Sequence, residues 1–152
     1  MLVCNGQTFL VIQIVDDITL ESFEQRPTSD SFTLTVAQIF NVSIASITIL
    51  NITRVSKEGL QFKKYIRPAV LVKYQVFVTL VTQSVDFSAQ QLTTAVSSGY
   101  FTAKMHENAL KHNVTALLIA TTSSVSIMSG LSLTLLSLCL VVLLVYMDIY
   151  SN

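Results

Sequence analysis

Formal charge is scarce in this 152-residue chain, and one long segment lacks it altogether. Charged residues make up 12% of the sequence, about half of the share that is usual in soluble domains. Between His112 and Met147 there is no Asp, Glu, Lys or Arg. The net charge is zero, so charge favours neither nucleic acid nor an anionic surface as a partner.

Glycine and cysteine are also few, and their scarcity excludes several kinds of site. The 4 glycines are scattered, so there is no glycine-rich phosphate-binding loop, and no Gly-x-Ser-x-Gly nucleophile motif occurs. Cys4 and Cys139 lie at opposite ends of the chain, and we expect no disulfide between them. We therefore predict no catalytic residues, no cofactor and no metal, and a protein that is not an enzyme.

The uncharged segment is a hydrophobic run. As a helix, residues 125–147 would be roughly 35 Å long, which is enough to cross a hydrocarbon core of about 30 Å. We predict a domain over residues 1–122, a single transmembrane helix over 123–147 and a short tail over 148–152. A buried core helix is the first alternative, but so small a domain could hardly surround all of its faces. A lipid-anchor signal is the second, and the polar tail after the run disfavours it.

Two features of the sequence disagree about which side of the membrane holds the domain. Lys104 and Lys111 precede the run and no basic residue follows it, which favours a cytosolic domain. The N-terminal residues lack the basic segment and cleavage site of a signal peptide, so either the protein is tail-anchored or the chain is the C-terminal piece of a longer secreted precursor. Three N-glycosylation sequons favour the secretory side, and they begin at Asn41, Asn51 and Asn113. We predict an extracytosolic domain, at the cell surface or in the secretory pathway.

Apolar patterns in the first half of the chain predict three strands and one helix. The apolar stretch 9–15 suits a covered strand, and 47–55 is β-branched and bounded by polar residues. Between them, apolar residues recur at helical spacing after Ser29 or Asp30 as N-cap, and Asn41 can end that helix in the left-handed conformation. A third strand alternates strictly, with one face made of Val70, Val72, Tyr74, Val76, Val78 and Leu80.

The second half adds a helical region and a last strand. Ser88 with Gln91 forms a capping-box pattern, and Gly99 is placed to end the helix that follows. Thr102 is predicted to cap a further helical turn, and residues 114–120 to form the last strand. The order β-α-β-β-α-β predicts an α+β, ferredoxin-like sandwich with two helices on one face of a four-stranded antiparallel sheet.

Two stretches of this pattern, "TVAQIFNVSIASITILNITRV" and "VDFSAQQLTTAVSSGYFTAKMHENAL", resemble the SEA-like membrane-proximal domains of algal and protist surface proteins. The resemblance covers roughly residues 7–122 and implies a membrane-tethered ectodomain, often at the C-terminus of a larger protein. Some SEA domains cleave themselves at a Gly-Ser bond. Here Gly59 is followed by Leu60, which lacks the hydroxyl nucleophile, so we predict no self-cleavage.

Three charged clusters are candidate sites. His106 and His112 are six residues apart, too far around a helix for a zincin-type zinc site, and we predict them to be solvated. Acidic residues after the first strand lack the EF-hand pattern and are predicted to form a solvated loop; they are Asp16, Asp17, Glu21 and Glu24. A basic loop could contact anionic lipid or a partner through Lys57, Lys63, Lys64 and Arg67.

The sequence thus predicts a single-pass membrane protein that presents a small structural or adhesive domain outside the cytosol. Its partners would be the lipid bilayer and either other proteins or copies of itself, but not nucleic acid. The alternative is a tail-anchored cytosolic adaptor whose basic loop binds anionic lipid or a protein.

Overall fold

The computed structural model of the protein describes residues 6–55, 67–79 and 85–129. Four strands and four helices follow one another in these ranges. They are β1 (Gly6–Asp16), α1 (Leu20–Phe23), α2 (Arg26–Phe40), β2 (Ile47–Arg54), β3 (Ala69–Thr79), α3 (Val85–Ser97), α4 (Tyr100–Lys111) and β4 (Thr121–Ser129). Short 3-10 turns precede β2 at Ile44–Ser46 and β4 at Thr115–Leu118.

The strands form one antiparallel sheet in the order β2-β3-β1-β4. The central strand β1 pairs with β3 from Gly6↔Thr79 to Asp16↔Ala69. β4 pairs with the other side of β1, and β2 pairs with the far side of β3. The predicted α+β class and the order β-α-β-β-α-β are confirmed, with the second helical region divided between α3 and α4.

The core lies between one face of this sheet and the helices. The predicted alternation of β3 is confirmed, since every second residue from Val70 to Val78 is buried; Leu80 lies outside the described residues. Phe32 of α2 is at the centre of an aromatic cluster. Its ring centroid is 5.2 Å from that of Phe23 and 5.8 Å from those of Tyr74 and Phe101. Tilted and edge-on contacts of this kind stabilise a core beyond the burial of area.

Helix α2 begins one turn earlier than predicted. Its first residue is Arg26 and its N-cap is Gln25, whereas Ser29 lies inside the helix and donates to the Gln25 carbonyl. Pro27 explains the difference, because its fixed φ is suited to the first turn of a helix and it has no N–H to leave unpaired. The C-terminal prediction is confirmed: Asn41 ends α2 in the left-handed conformation, with φ 53° and ψ 46°.

The starts of α3 and α4 also differ from the prediction. Ser88 lies inside α3 and is buried, since that helix already begins at Val85. Thr102 is likewise inside α4 and does not cap it. Gly99 has a φ of 77° and serves as both the end of α3 and the N-cap of α4. Ser98 and the left-handed Gly99 therefore make the turn between these helices, and the Ser98 hydroxyl accepts from the Tyr100 N–H at 3.4 Å.

The last strand was predicted in the wrong place. Residues 114–120 contain a 3-10 turn, and the strand is Thr121–Ser129. The buried residues Val114, Leu117 and Ala120 recur every three positions, which matches the period of a 3-10 helix and not that of a strand.

The position of β4 corrects the start of the predicted transmembrane helix. Residues 124–129 pair with β1, whose backbone groups along that edge would otherwise have no partners. The folded domain therefore extends to residue 129 and does not stop at 122. None of the helices in the described ranges combines the length and apolar character needed to cross a bilayer. The predicted span from residue 130 onward, and the tail 148–152, lie outside the described residues.

Candidate functional site

The three sequon asparagines lie on separate parts of the surface. Asn41 follows α2, Asn51 is in the edge strand β2 opposite Lys73, and Asn113 follows α4. All three are exposed, and so is the hydroxyl residue of each sequon: Ser43, Thr53 and Thr115. Because an attached glycan must remain in solvent after folding, each of these positions is sterically suited to carry one.

Two of these asparagines also have a conformational role. Asn41 and Asn113 have positive φ values of 53° and 56°. Asn tolerates this region better than other residues with a side chain, because its short amide can hydrogen-bond locally. Their presence has a structural reason independent of glycosylation. A substitution that removes either sequon must therefore keep the left-handed conformation accessible.

Of the four basic residues predicted to contact a partner, the structure describes one. Lys57, Lys63 and Lys64 lie outside the described residues. Arg67 Nη1 lies 3.4 Å from Asp17 Oδ2, with 73% of the Arg67 side chain exposed. Arg67 thus neutralises part of the acidic loop after β1 while remaining accessible to solvent.

The acidic loop makes a second ion pair. Glu21 pairs with Arg54 at the end of β2. The Glu21 carboxylate has a lowered pKa, mainly because a backbone N–H donates to it; Arg54 adds to the effect and partial desolvation opposes it. Both side chains are two-thirds exposed, so this pair contributes little to stability. The four acids were predicted to form a solvated loop, but Asp16 ends β1 and Glu21 lies in α1, and only Glu21 and Glu24 are exposed.

The histidines are far from a zinc site. His106 Nε2 is 2.7 Å from the carbonyl oxygen of Ala120, which makes this nitrogen the donor, and the ring is half-buried. His112 is exposed after the end of α4. Within the described ranges, no three His, Cys, Asp or Glu side chains lie close enough together to hold a metal ion. His106 was predicted to be solvated, whereas it ties α4 to the residue before β4.

A groove between α2 and α3 is a candidate site that the sequence did not single out. It has a volume of about 500 Å³ and opens to solvent. Its walls include Gln38 of α2, Phe87 and Gln91 of α3, and Tyr100 of α4. A sequence signal existed, because Phe87, Gln91 and Thr94 of α3 and Ser98 just after it follow one another at spacings of four and three. The buried apolar residues on the other side of α3 form the stronger pattern in the sequence, so this mixed aromatic and polar stripe was not predicted.

A polar network anchors one wall of the groove. Asn108 of α4 is fully buried, and its Nδ2 donates to Thr35 Oγ1 at 3.0 Å and to Gln38 Oε1 at 2.9 Å. The carbonyl of Gln38 is thereby held towards α4, and its NH₂ group is the donor it can offer to the groove. Gln91 Oε1 is buried and has no hydrogen-bond partner within the described part of the chain.

Comparisons with known proteins do not assign a family. No family model matches the chain, and no curated protein matches it. One solved structure that the chain matches is the full extracellular region of zebrafish Gpr126/Adgrg6, at 14% identity and a TM-score of 0.40. The match covers 82% of this chain and 13% of that structure, so the chain spans only a small part of that receptor region.

Proposed function

We propose that this protein is a membrane-anchored module that holds a small SEA-like domain outside the cytosol, as a folded spacer or adhesive unit. It has no catalytic role in this proposal. The observation that carries it is the exposure of all three sequon asparagines together with their hydroxyl partners. The sandwich of one antiparallel sheet and helices is the architecture that the resemblance to SEA-like domains implies.

The anchor in this proposal is the apolar run that follows β4. With residues 123–129 in the sheet, the densest part of the run is residues 131–147. Seventeen residues are at the lower limit for a transmembrane helix, which needs about 17–25. Anchoring by this shorter segment predicts that the chain stays with vesicles during extraction with alkaline carbonate. Its release into the soluble fraction would contradict the anchor.

Glycosylation of the full chain in a eukaryotic cell tests the placement outside the cytosol. We expect enzymatic deglycosylation of the membrane fraction to increase gel mobility. Asn41→Gly, Asn51→Gln and Asn113→Gly should each remove one step of the shift. Glycine is chosen at 41 and 113 because it keeps the positive φ, so loss of the glycan is separated from backbone strain. Asn5→Gln, outside any sequon, is the matched control.

The competing proposal is a tail-anchored cytosolic adaptor. The same membrane fraction distinguishes the two proposals. Digestion of the domain by protease on sealed vesicles, together with an unshifted gel band, would place it in the cytosol. The lipid-binding form of this alternative meets a geometric difficulty. Val55 and Arg67, which flank the basic loop, lie at the end of the sheet opposite to Ser129, from which the chain continues towards the anchor.

A further inference from the structure

Strand β4 forms one edge of the sheet, and within the described ranges no strand pairs with its outer side. β1 occupies its inner side, with a register shift at Ser123 and regular pairing over residues 124–129. The strand contains no charged residue and no proline. Charges, prolines and bulges are the features by which proteins keep an edge strand from pairing with another chain. Residues 124–129 lack all three.

The other edge of the sheet, β2, has such protection. Its pairing with β3 passes from Ile49 to Asn51 and skips Leu50, so the strand is bulged in its middle. Arg54 places a charge at its end, and a glycan on the sequon at Asn51 would stand on this strand. A bulge twists an edge and interrupts its ladder, which hinders a second strand from lying along it. β4 is therefore the edge that is open to a partner strand.

The side chains of β4 match those of a second copy of the same strand. Val125 and Ile127 are half-buried on the core side, whereas Ser124, Ser126 and Met128 are exposed on the other face. Two antiparallel copies related by a twofold axis at Ser126 place each Val125 opposite an Ile127. Cross-strand pairs of β-branched residues stabilise an antiparallel sheet, and no like charges meet. Moving the axis by one residue would set Val125 or Ile127 opposite a serine.

We propose that β4 pairs antiparallel with β4 of a second copy of this chain, which joins two four-stranded sheets into one. The backbone groups on the outer side of each β4 then have hydrogen-bond partners. In strand addition of this kind the main chain supplies affinity and the alternate side chains supply specificity. An interface of one short strand from each copy belongs to the class of weak contacts, below about 1,200 Å².

Antiparallel pairing also determines which copies can meet. β4 ends at Ser129, from which the chain continues into the proposed anchor. In the pair, the two copies of Ser129 lie at opposite ends of the interface, about 20 Å apart at 3.4 Å per residue. The two anchors therefore leave in opposite directions, as required of copies held by two facing membranes. This direction rests on the proposed function, whose adhesive role becomes contact between like copies, and many weak pairs acting together make that contact strong.

Cysteine cross-linking of the full-length chain in detergent tests the pairing. With Cys4 and Cys139 replaced by serine, Ser126→Cys should give a disulfide-linked dimer under mild oxidation, since opposed residues have Cα atoms about 4.5–5.5 Å apart. Ser124→Cys is the matched control, because it is exposed on the same face and its two copies would lie about 14 Å apart. Equal dimer yields from the two variants, or no dimer from Ser126→Cys, would overturn the proposal.

Adhesion between vesicles tests the direction. Two vesicle populations carry the full-length chain with outward-facing domains, one labelled with a donor fluorophore and the other with an acceptor. We expect energy transfer between the populations. Ser126→Lys should abolish it, because the paired strands would set like charges opposite each other, whereas Thr48→Lys on the edge strand β2 should not. Transfer that is absent in wild type, or that persists in Ser126→Lys, would refute pairing across facing membranes.

Two further measurements separate the possible causes of failure. The unfolding temperatures of both lysine variants should match that of wild type, since Thr48 and Ser126 are exposed. Release of the chain by alkaline carbonate would contradict the anchor alone, because cross-linking at position 126 in detergent does not require a membrane.

Discussion

Buried polar side chains are the residues whose roles are most sharply defined by this structure. Tyr74 and Gln13 are both fully buried, on neighbouring strands β3 and β1. The Tyr74 hydroxyl donates to Gln13 Oε1 at 2.7 Å. Burial raises the pKa of Tyr74 well above its ordinary value, so the phenol is neutral and acts as a donor at neutral pH.

We predict that Tyr74→Phe destabilises the domain by about 1–3 kcal/mol, because it leaves Gln13 Oε1 buried without its donor. The double variant Gln13→Leu with Tyr74→Phe should recover most of this loss, since it removes both polar partners and also the Gln13 Nε2, which has no partner among the described residues. Urea unfolding followed by circular dichroism measures both. A double variant less stable than Tyr74→Phe would contradict this account.

At the scale of the helix, α4 is stabilised on its surface by one acid between two bases. Lys104 Nζ lies 2.7 Å from Glu107, one turn before it, and Lys111 pairs with Glu107 one turn after it. Hydrogen bonds from Lys104 and Lys111 lower the pKa of Glu107 from 4.5 to about 2. The bond to Glu107 also raises the pKa of Lys104.

The pH dependence of stability follows from the sign of this shift. A carboxyl group with a lowered pKa in the folded state stabilises the fold above its unfolded value of 4.5, and this contribution is lost as the pH falls towards about 2. We predict that wild type exceeds Glu107→Gln in unfolding temperature at pH 6, and that the difference shrinks between pH 4.5 and 2. A difference that stays constant over this range would contradict the role of the ion pairs.

At the scale of the strand, β4 decides where the domain ends. Val125 and Ile127 are half-buried against the core, and the Thr102 and Thr122 hydroxyls lie 3.0 Å apart between α4 and β4. A chain that ends at residue 122 would lose nearly all of this strand and leave one side of β1 unpaired.

We predict that a chain of residues 1–130 unfolds cooperatively, whereas residues 1–122 give a poorly folded or aggregating product, because unpaired edges template association. Thermal unfolding and size-exclusion chromatography of the two chains provide the measurement. Cooperative folding of residues 1–122 would show that β4 is dispensable.

At the scale of the whole molecule, the sheet brings both ends of the domain to one side. β1 begins at Gly6 and β4 ends at Ser129, which pairs with Phe9. The opposite end of the sheet carries Asp16 and Thr121. Eight residues of strand correspond to about 26 Å, so the two ends of the sheet are about that far apart.

We predict that a fluorophore at Thr8→Cys is quenched more strongly by quencher-labelled lipid headgroups than one at Thr121→Cys, in a chain with Cys4 and Cys139 replaced by serine. Thr8 lies near the end where β4 finishes, and Thr121 lies where β4 begins; both side chains are exposed. Retention of each labelled chain after carbonate extraction is the control. Stronger quenching at Thr121 would contradict the anchored orientation.

The sequence by itself determined the elements whose periodicity is undisturbed. The alternation of β3, the apolar β1 and the left-handed end of α2 at Asn41 were all predictable, because each is a local property of spacing or of one residue's φ preference. The order β-α-β-β-α-β followed from them. The glycosylation sequons could also be found from sequence, although their exposure could not.

Only the tertiary structure decided the position of β4 and the existence of the groove. Residues 125–129 are as free of charge as the run that follows, so composition could not separate a strand from a helix there. These residues form a strand because the backbone groups along one side of β1 need hydrogen-bond partners, which only residues far away in the sequence supply. The groove likewise arises where α2 and α3 meet, and no single helix contains that surface.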